Sequence, residues 1–342
     1  MNPTRFFKSC VLFAALGVIY SGAAAAADQT TSTVIRFGII GTDTSHAVQF
    51  SKILNDENDP SHIAGARIVC AFKGGSADIP SSADRVEKYA AEIQEKYGVE
   101  IVNSIPELLD KVDAVMLESV DGRPHLEQVR PVFAAKKPVF IDKPLAGSLQ
   151  DAIAIAKLAK ESGTPCFSAS SLRYFSGVTD LVKNPKVGDI NGVAAFSPCE
   201  LEPHHPDFYW YGIHGVEILY TLMGTGCESV SRTSTADYDL AAGTWSDGRI
   251  GTFRGIRKGK ADYGALVFGS KSIVKSEPVS GNLYQPLVEQ IVKFAQTRQA
   301  PVSLDTTVEM MAFMEAADES KRQGGKPVKL QDVISKAEAA SK

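Results

Sequence analysis

Two short segments of the chain carry side chains that could hold or transfer a proton. Lys143 follows the apolar run Pro138–Ile141, and an amine at the end of a buried strand could polarise a hydroxyl or carbonyl group or act as an acid. Asp142, its neighbour, could orient it. His214 and Glu217 are three residues apart and share one face of a helix, where a carboxylate-held imidazole is a suitable general base. We predict that these four side chains are catalytic.

The segment just before His214 leaves a metal site open as an alternative. It holds two imidazoles and three carboxylates, from Glu200, Glu202, His204, His205 and Asp207. Divalent metals bind such groups, but no closely spaced pair of ligands such as H-x-x-x-H occurs among them. We therefore predict no metal ion. A buried His214 with a purely structural role is the second alternative.

The loop after the first apolar run carries part of a dinucleotide-binding fingerprint. Val34–Ile40 predicts a buried strand and Gly41 follows it, but the pattern G-x-G-x-x-G also needs glycines where Asp43 and His46 stand. Asp43 would bring a negative charge towards two phosphates unless it turns away to cap the next helix. The N–H groups at the start of that helix would still attract an anion. The residues predicted to contact a cofactor here are Gly41, Thr42, Asp43, Thr44, Ser45 and His46.

The second apolar run, Ala66–Phe72, predicts a strand whose end would normally carry an acid that binds the ribose hydroxyls. Lys73 follows it instead. Its amine could contact a 2′-phosphate group, which would favour NADP over NAD, and a solvated lysine in a turn is the alternative. We predict NADP or NAD as the cofactor, with Lys73 among its contacts.

Strands alternate with helices over residues 34–165, which predicts a Rossmann-type, doubly wound parallel sheet in an α/β chain. Right-handed crossovers place the loops that bind ligands at one edge of such a sheet. The predicted strands are Val34–Ile40, Ala66–Phe72, Val112–Leu117, Pro138–Ile141 and Pro165–Ser168. The predicted helices are His46–Leu54 with Ser45 as its N-cap, Ser82–Tyr97, Pro124–Ala135 and Ser148–Ser162.

Residues 166–330 have a different character and predict a substrate-binding α+β domain with a large, mostly antiparallel open sheet. Its predicted strands are Ile190–Glu200, Glu228–Thr235, Gly243–Thr244, Ile250–Ile256 and Tyr263–Lys275. Helix Tyr211–Met223 interrupts them, and two late helices, Leu283–Thr297 and Thr306–Arg322, are expected to close this domain. Residues 331–342 are expected to form a tail helix.

The composition fits a soluble globular chain of two domains. The 342 residues include 44% hydrophobic and 22% charged side chains. The net charge of −4 provides no basic excess to neutralise a phosphate backbone, so we predict no nucleic-acid partner. Outside the first 27 residues, four cysteines are widely spaced and are expected to be free thiols: Cys70, Cys166, Cys199 and Cys227.

The first 27 residues have the pattern of a Sec-type export signal. Arg5 and Lys8 precede the apolar centre Val11–Tyr20, and the alanine run Ala23–Ala27 offers cleavage sites. We predict a periplasmic or extracellular protein with no stable membrane span after the signal is removed. An uncleaved anchor is the alternative.

These segments together resemble the glucose–fructose oxidoreductase / inositol dehydrogenase family, also called Gfo/Idh/MocA, from about residue 34 to residue 330. Besides the Gly41 loop, four segments carry the resemblance. Ser119–His125 ends in a histidine, as the family's loop does, and Phe140–Ala146 carries Asp142-Lys143-Pro144 where the family has E-K-P. Ser168–Tyr174 resembles the family's next strand and its arginine, here Arg173. Gly212–Glu217 is similar to the family's G-x-H-x-x-D segment.

The resemblance implies a first domain that binds NAD or NADP and a second domain whose sheet faces a sugar or polyol. It implies that Lys143 holds and polarises the reacting hydroxyl, while His214 takes its proton. On the same basis we expect Ser119, His125, Lys143 and Arg173 at the cofactor, and a homo-oligomer. The expected function is an NAD(P)-dependent oxidoreductase acting on a sugar or polyol hydroxyl. A carbohydrate-binding protein, or a carbohydrate lyase or hydrolase with weakened nucleotide binding, is the alternative.

Overall fold

Six short strands form a parallel sheet in the first half of the protein, whose computed structural model describes residues 34–340. Residues 1–33 and 341–342 lie outside the described residues, and the predicted signal segment is among them. The strands are β1 (Ile35–Ile40), β2 (Ala66–Phe72), β3 (Glu100–Val102), β4 (Ala114–Leu117), β5 (Val139–Ile141) and β6 (Cys166–Ser168). Their order is β3-β2-β1-β4-β5-β6, and every neighbouring pair is parallel, so the predicted doubly wound sheet is confirmed.

Helices cover both faces of this sheet because alternate residues of a strand point to opposite sides. Phe37 and Ile39 of β1 belong to one apolar cluster, whereas Ile40 belongs to the other. Strand β6 continues the sheet three residues past the predicted domain boundary at residue 165. The helices are α1 (Ser45–Asn55), α2 (Pro80–Ala83), α3 (Val86–Tyr97), α4 (Ile105–Leu109), α5 (His125–Ala134) and α6 (Leu149–Ser162).

Two helix boundaries in this half differ from the sequence prediction. The N-cap of α1 is Thr44 rather than Ser45, because the Thr44 hydroxyl oxygen accepts a hydrogen bond from an N–H group of the first turn. The predicted helix Ser82–Tyr97 is divided into α2 and α3. The chain turns there because the hydroxyl of Ser82 reaches back to the β1 loop and donates a hydrogen bond to Asp43.

A second sheet of seven strands fills the other half. Its strands are β7 (Ile190–Pro198), β8 (Cys227–Ser234), β9 (Tyr238–Trp245), β10 (Ile250–Ile256), β11 (Gly264–Gly269), β12 (Ile273–Lys275) and β13 (Val328–Lys329). The order is β12-β11-β7-β10-β9-β8-β13, and among the described strands of this second sheet β7 and β10 form the one parallel pair. The predicted large, mostly antiparallel sheet is confirmed, although β9 is longer than predicted and the predicted strand Tyr263–Lys275 is two strands.

The helices of this half are α7 (Ser176–Val182), α8 (Ile213–Met223), α9 (Gln285–Thr297), α10 (Leu304–Arg322) and α11 (Leu330–Ala340). A 3₁₀ turn, Ser171–Tyr174, precedes α7, and a π-helical turn, Phe208–Gly212, leads into α8. Helix α10 packs on β8 and on α6, so it contacts both halves. No helix within residues 34–340 is long and apolar enough to cross a bilayer.

Helix α9 does not close the second domain as the sequence predicted. Its apolar stripe packs on the first sheet, where Ile291 and Phe294 share a cluster with Phe37, Ile39 and Phe167. The sequence pattern shows that α9 has an apolar face, but it does not show which sheet that face covers. Helix α9 therefore returns the chain to the first half after the second sheet is complete.

Candidate active site

A cavity of about 230 Å³ lies where the carboxyl ends of the parallel strands face α8 and the start of β11. Both halves of the chain contribute to its walls, and Lys143 and His214 face the same space. The side chains that line the cavity include Thr44, Ser45, His46, Lys143, His214 and Tyr263. The structure thus brings together a cationic and an imidazole side chain from two separate segments.

Lys143 follows β5 and is surrounded by protein, although solvent still reaches its side chain through the cavity. Its amine makes no hydrogen bond or ion pair with the described residues, and the ring of Tyr211 lies 5.7 Å from it. Burial lowers the pKa of Lys143, and the negative charges of Asp142 and Glu118 oppose that shift. The amine therefore has all its donor capacity available for a ligand in the cavity.

His214 lies in the first turn of α8, with its Nδ1 atom 2.7 Å from the hydroxyl oxygen of Ser170. Its ring also meets the rings of Tyr211 and Tyr263 edge-on. Burial, and then the positive charge of Lys143, hold the pKa of His214 well below its usual range. The imidazole is therefore neutral near pH 7, and Nε2 is the nitrogen left to accept a proton from a ligand.

Glu217 does not hold His214, although the two residues share a helix. Its carboxylate forms a buried ion pair with the guanidinium of Arg173, which belongs to the 3₁₀ turn before α7. Ser170 occupies the place beside His214 that Glu217 was predicted to fill. The pair therefore joins the 3₁₀ turn to α8, and neither Glu217 nor Arg173 lines the cavity.

Asp142 contacts the backbone of Lys143 rather than its amine. Its Oδ1 atom accepts a hydrogen bond of 2.8 Å from the Lys143 N–H group. Its Oδ2 atom lies 2.6 Å from Nδ1 of His46, in a geometry that does not meet that of a hydrogen bond. Asp142 therefore fixes the start of the loop after β5 and places a carboxylate beside an imidazole from α1.

Contacts with neighbouring segments of the protein bury the turn after β1. Gly41 has a positive φ of 96°, and a Cβ atom there would lie 2.3 Å from the backbone nitrogen of Ser119, so only glycine fits. Asp43 turns away from the cavity and accepts hydrogen bonds from the Ser82 hydroxyl at 2.6 Å and the Val120 N–H at 3.1 Å. Burial raises the pKa of Asp43, and those hydrogen bonds oppose the shift.

The segment 73–86 is tied across this turn. The Thr42 N–H donates to the carbonyl of Lys73 at 2.8 Å, and the Thr42 hydroxyl donates to the carbonyl of Val86 at 2.9 Å. Together with the bond from Ser82 to Asp43, these contacts leave Thr42 and Asp43 fully buried. No ligand reaches the turn in this arrangement.

Like Gly41, Thr42, Asp43 and Arg173, three more of the predicted cofactor residues lie outside the cavity lining. The amine of Lys73 pairs with Glu87 at 2.7 Å on the surface. His125 is buried, with Nε2 2.8 Å from the carbonyl of Ser119 and Nδ1 3.2 Å from that of Leu145, so it ties the loops after β4 and β5 together. The hydroxyl of Ser119 donates to Gln128. These side chains shape the edge of the sheet instead of facing a ligand.

Comparison with known proteins identifies the first half of the chain. Residues 35–170 match the model of the Gfo/Idh/MocA family, described as an oxidoreductase family with an NAD-binding Rossmann fold. Residues 35–170 are thus similar to the NAD-binding domain of that family. The resemblance that the Lys143 segment carried is thereby confirmed.

One curated protein is similar to this chain in sequence, and two solved structures are similar to it in fold. An uncharacterized oxidoreductase of Streptococcus pneumoniae serotype 4 (strain ATCC BAA-334 / TIGR4) is 26% identical over 216 residues. That match covers 58% of this chain and 53% of the relative, so it spans about half the relative's length. Scyllo-inositol dehydrogenase from Lactobacillus casei superposes with a TM-score of 0.71 at 15% identity, over 88% of this chain and 99% of that one. An oxidoreductase from Agrobacterium radiobacter in complex with NAD+, L-tartaric acid and magnesium gives 0.70 at 15% identity, over 88% and 100%.

A dinucleotide of the kind that the matched family binds would fit one end of this site better than the other. The space beside Lys143 and His214 is large enough for a single ring and has the aromatic wall of Tyr263. The diphosphate of a dinucleotide would approach the backbone at Thr42 and Asp43, and both residues are buried under segment 73–86. The ring end of a dinucleotide therefore fits, whereas its diphosphate reaches the turn only after that segment moves.

The predicted alternative metal site is not assembled. His204 is half-exposed, with its Nδ1 atom 2.6 Å from Glu202 and its Nε2 atom 3.6 Å from Asp78. His205 faces Asp121 instead. The remaining member near His214, Asp207, pairs with Arg232 and Lys321. The two histidines and the carboxylates thus have separate partners.

Sequence reasoning missed several residues of the site. Tyr263 and Tyr284 line the cavity from segments with no motif, so no pattern in the sequence singles them out. Arg85 also lines it, from the boundary between α2 and α3. Glu118 directly follows β4, as Lys143 closely follows β5, so its position at a strand end could have predicted it as a site residue.

Proposed function

We propose that this chain is an NAD(P)-dependent oxidoreductase that acts on a hydroxyl group of a sugar or polyol. The observation that carries the proposal is the shared cavity of Lys143 and His214 in a domain of an NAD-binding oxidoreductase family. The names of the relatives support the substrate class, because they include dehydrogenases of inositols, which are cyclic polyols. The oxidoreductase from Agrobacterium radiobacter contains NAD+, which supports the cofactor class.

The chain's own residues supply the acid–base part of such a reaction. The amine of Lys143 donates a hydrogen bond to the reacting hydroxyl and stabilises the negative charge that grows on its oxygen. The neutral imidazole of His214 accepts the hydroxyl proton at Nε2, while Ser170 holds Nδ1. When bound, the nicotinamide ring supplies the acceptor for the hydride that leaves the carbon. The aromatic side chains around His214 limit the access of water.

We further propose that the protein is exported and acts as a homo-oligomer. The proposal of export rests on the pattern of residues 1–27, with two basic residues before an apolar centre and an alanine run. The proposal of self-association rests on the family resemblance alone. A fusion of residues 1–33 to a reporter that is active only outside the cytoplasm tests the first, and the mass of the purified protein in solution tests the second.

The first test of the oxidoreductase proposal measures nucleotide binding. Purified protein is examined for bound nucleotide by mass spectrometry and is then titrated with NADH and NADPH. We expect saturable binding of at least one of them. We also expect reduction of NAD+ or NADP+ in the presence of a member of a panel of inositols and sugars.

The alternative is a carbohydrate-binding protein, or a lyase or hydrolase that works without a nucleotide. The buried turn at Thr42 and Asp43 favours it. This alternative predicts that a sugar stabilises the protein against heat while neither nucleotide binds at millimolar concentration. That result would overturn the oxidoreductase proposal.

A further inference from the structure

Three side chains with metal-binding groups converge beside the cavity without forming a hydrogen-bonded set. His46 lies in the first turn of α1, Glu118 directly follows β4, and Asp142 directly follows β5. Strands β1, β4 and β5 are neighbours in the sheet, so their carboxyl ends deliver the three side chains to one point. One nitrogen and two carboxylate oxygens all lie within 4.8 Å of one another, and all three residues are buried.

Glu118 is the unexplained member of this group. The residue is 0% exposed, and neither carboxylate oxygen has a hydrogen-bond partner among the described residues. Nδ1 of His46 lies 3.9 Å from Oε2, which is too far for a hydrogen bond. Burial of a carboxylate without a partner is costly, so native structures almost always satisfy such a group. Among the described residues, both Glu118 oxygens are therefore left available to a ligand.

Lys143 does not provide that partner. Its positive charge acts on both Glu118 and Asp142 through space, but its amine forms no ion pair with either carboxylate. Nδ1 of His46 is also incompletely used, since its approach to Asp142 lacks the geometry of a hydrogen bond. An imidazole nitrogen and two carboxylates thus face one another with unused lone pairs.

We propose that His46, Glu118 and Asp142 bind one divalent first-row transition metal ion. Ligand atoms on one such ion, at about 2.0–2.2 Å each, lie no more than about 4.4 Å apart, so small rotations of the side chains suffice. The imidazole in the set favours Zn²⁺ over Ca²⁺ and Mg²⁺, which prefer oxygen alone, and the two carboxylates would also suit Mn²⁺. His46 lines the cavity, so the ion would lie in its wall with a coordination position open to a ligand.

The test compares metal binding by the full chain and by three variants. Chelator-treated protein is titrated with Zn²⁺ and then, separately, with Mn²⁺ by calorimetry, and the bound metal is counted by elemental analysis. Glu118→Gln keeps the size of the side chain and removes its charge. His46→Asn tests a second ligand that is partly accessible from the cavity. His204→Gln is the matched control, because that exposed histidine also lies between two carboxylates.

We expect one ion per wild-type chain and at least about tenfold weaker binding in Glu118→Gln and His46→Asn. His204→Gln should bind like the wild type. Without metal, Glu118→Gln should melt near the temperature of the wild type, because Glu118 makes no hydrogen bond that the change could break. Zn²⁺ should then raise the melting temperatures of the wild type and of His204→Gln by more than those of Glu118→Gln and His46→Asn.

Absence of saturable binding would overturn the proposal, and so would equal affinity in the wild type and Glu118→Gln. Loss of binding in His204→Gln alone would place the ion on the surface and would also overturn it. The titrations need neither nucleotide nor sugar. A negative result therefore leaves the oxidoreductase proposal standing, and a failure of that proposal does not affect the metal site.

Discussion

The hydroxyl oxygen of Ser170 lies 2.7 Å from Nδ1 of His214 and fixes the orientation of that imidazole. Ser170 is fully buried and follows the last strand of the first sheet, whereas His214 begins a helix of the second half. The contact therefore crosses between the two halves of the site. It sets which ring nitrogen faces the cavity, which is the property that a general base requires.

Ser170→Ala should slow the reaction without removing the substrate site. The imidazole loses the hydroxyl that orients it, so we expect kcat to fall about 10–100-fold while KM changes little. Ser170→Thr retains a hydroxyl and should restore most of the rate. Steady-state kinetics on both variants checks this. A fall confined to KM, or no rescue by threonine, would show that Ser170 does not act through His214.

Lys143→Met should abolish activity and leave the fold at least as stable. The amine of Lys143 has no partner among the described residues, so its replacement removes the cost of a buried charge. We expect kcat/KM to fall about 10³-fold or more, while the free energy of unfolding rises by about 1 kcal/mol. Urea unfolding and steady-state kinetics measure the two effects.

Lys137→Met is the matched control for that experiment. Its amine donates a hydrogen bond of 2.8 Å to the carbonyl of Val112. The same change should therefore lower the free energy of unfolding there by about 1 kcal/mol and leave kcat/KM near the wild-type value. Equal destabilisation by both changes would mean that the Lys143 amine is satisfied in the folded protein.

The sequence predicted where the site residues lie better than it predicted which residues their side chains contact. Lys143 and His214 were found because a strand end and a helix start are places where a side chain faces a ligand, and these positions follow from local patterns. The partners of Glu217 and Asp43 depend on segments distant in the chain, Arg173 and Ser82, which no spacing rule connects. For the same reason the pattern of α9 revealed an apolar face but not the sheet that it covers.

Ser82→Ala should make nucleotide binding tighter. The Ser82 hydroxyl ties segment 73–86 to Asp43, and that segment buries the turn that a diphosphate must reach. Loss of this hydrogen bond raises the fraction of molecules in which the turn is open to a ligand. The apparent Kd for the nucleotide falls in proportion. We expect a several-fold lower Kd for NADH or NADPH, measured by fluorescence titration. Asp84→Ala, an exposed change in the same segment, should leave the Kd unchanged. Weaker binding by Ser82→Ala would instead mean that the tie helps to form the site.

Asp121 should contribute a stability that disappears in acid. Burial alone would raise the pKa of this carboxyl, but the contact with His205 and the hydrogen bonds from Arg123 and Ser76 outweigh burial and hold the pKa well below the unfolded value of 3.8. Because the folded pKa is lowered, the stabilisation is complete above about pH 5 and is lost as the pH falls below 4. Asp121→Asn should therefore lower the free energy of unfolding by about 3 kcal/mol at pH 7.

That difference between the wild type and Asp121→Asn should stay constant from pH 7 to about pH 5 and shrink as the pH falls further. Urea unfolding at each pH, down to the lowest at which both proteins fold, measures it. Asp78→Asn is the matched control, because Asp78 pairs with the same Arg123 but is 52% exposed. Its effect at pH 7 should be much smaller than that of Asp121→Asn, since solvent screens an exposed ion pair. A difference for Asp121→Asn that grows as the pH falls from 5 would contradict the lowered pKa and the hydrogen bonds assigned to it.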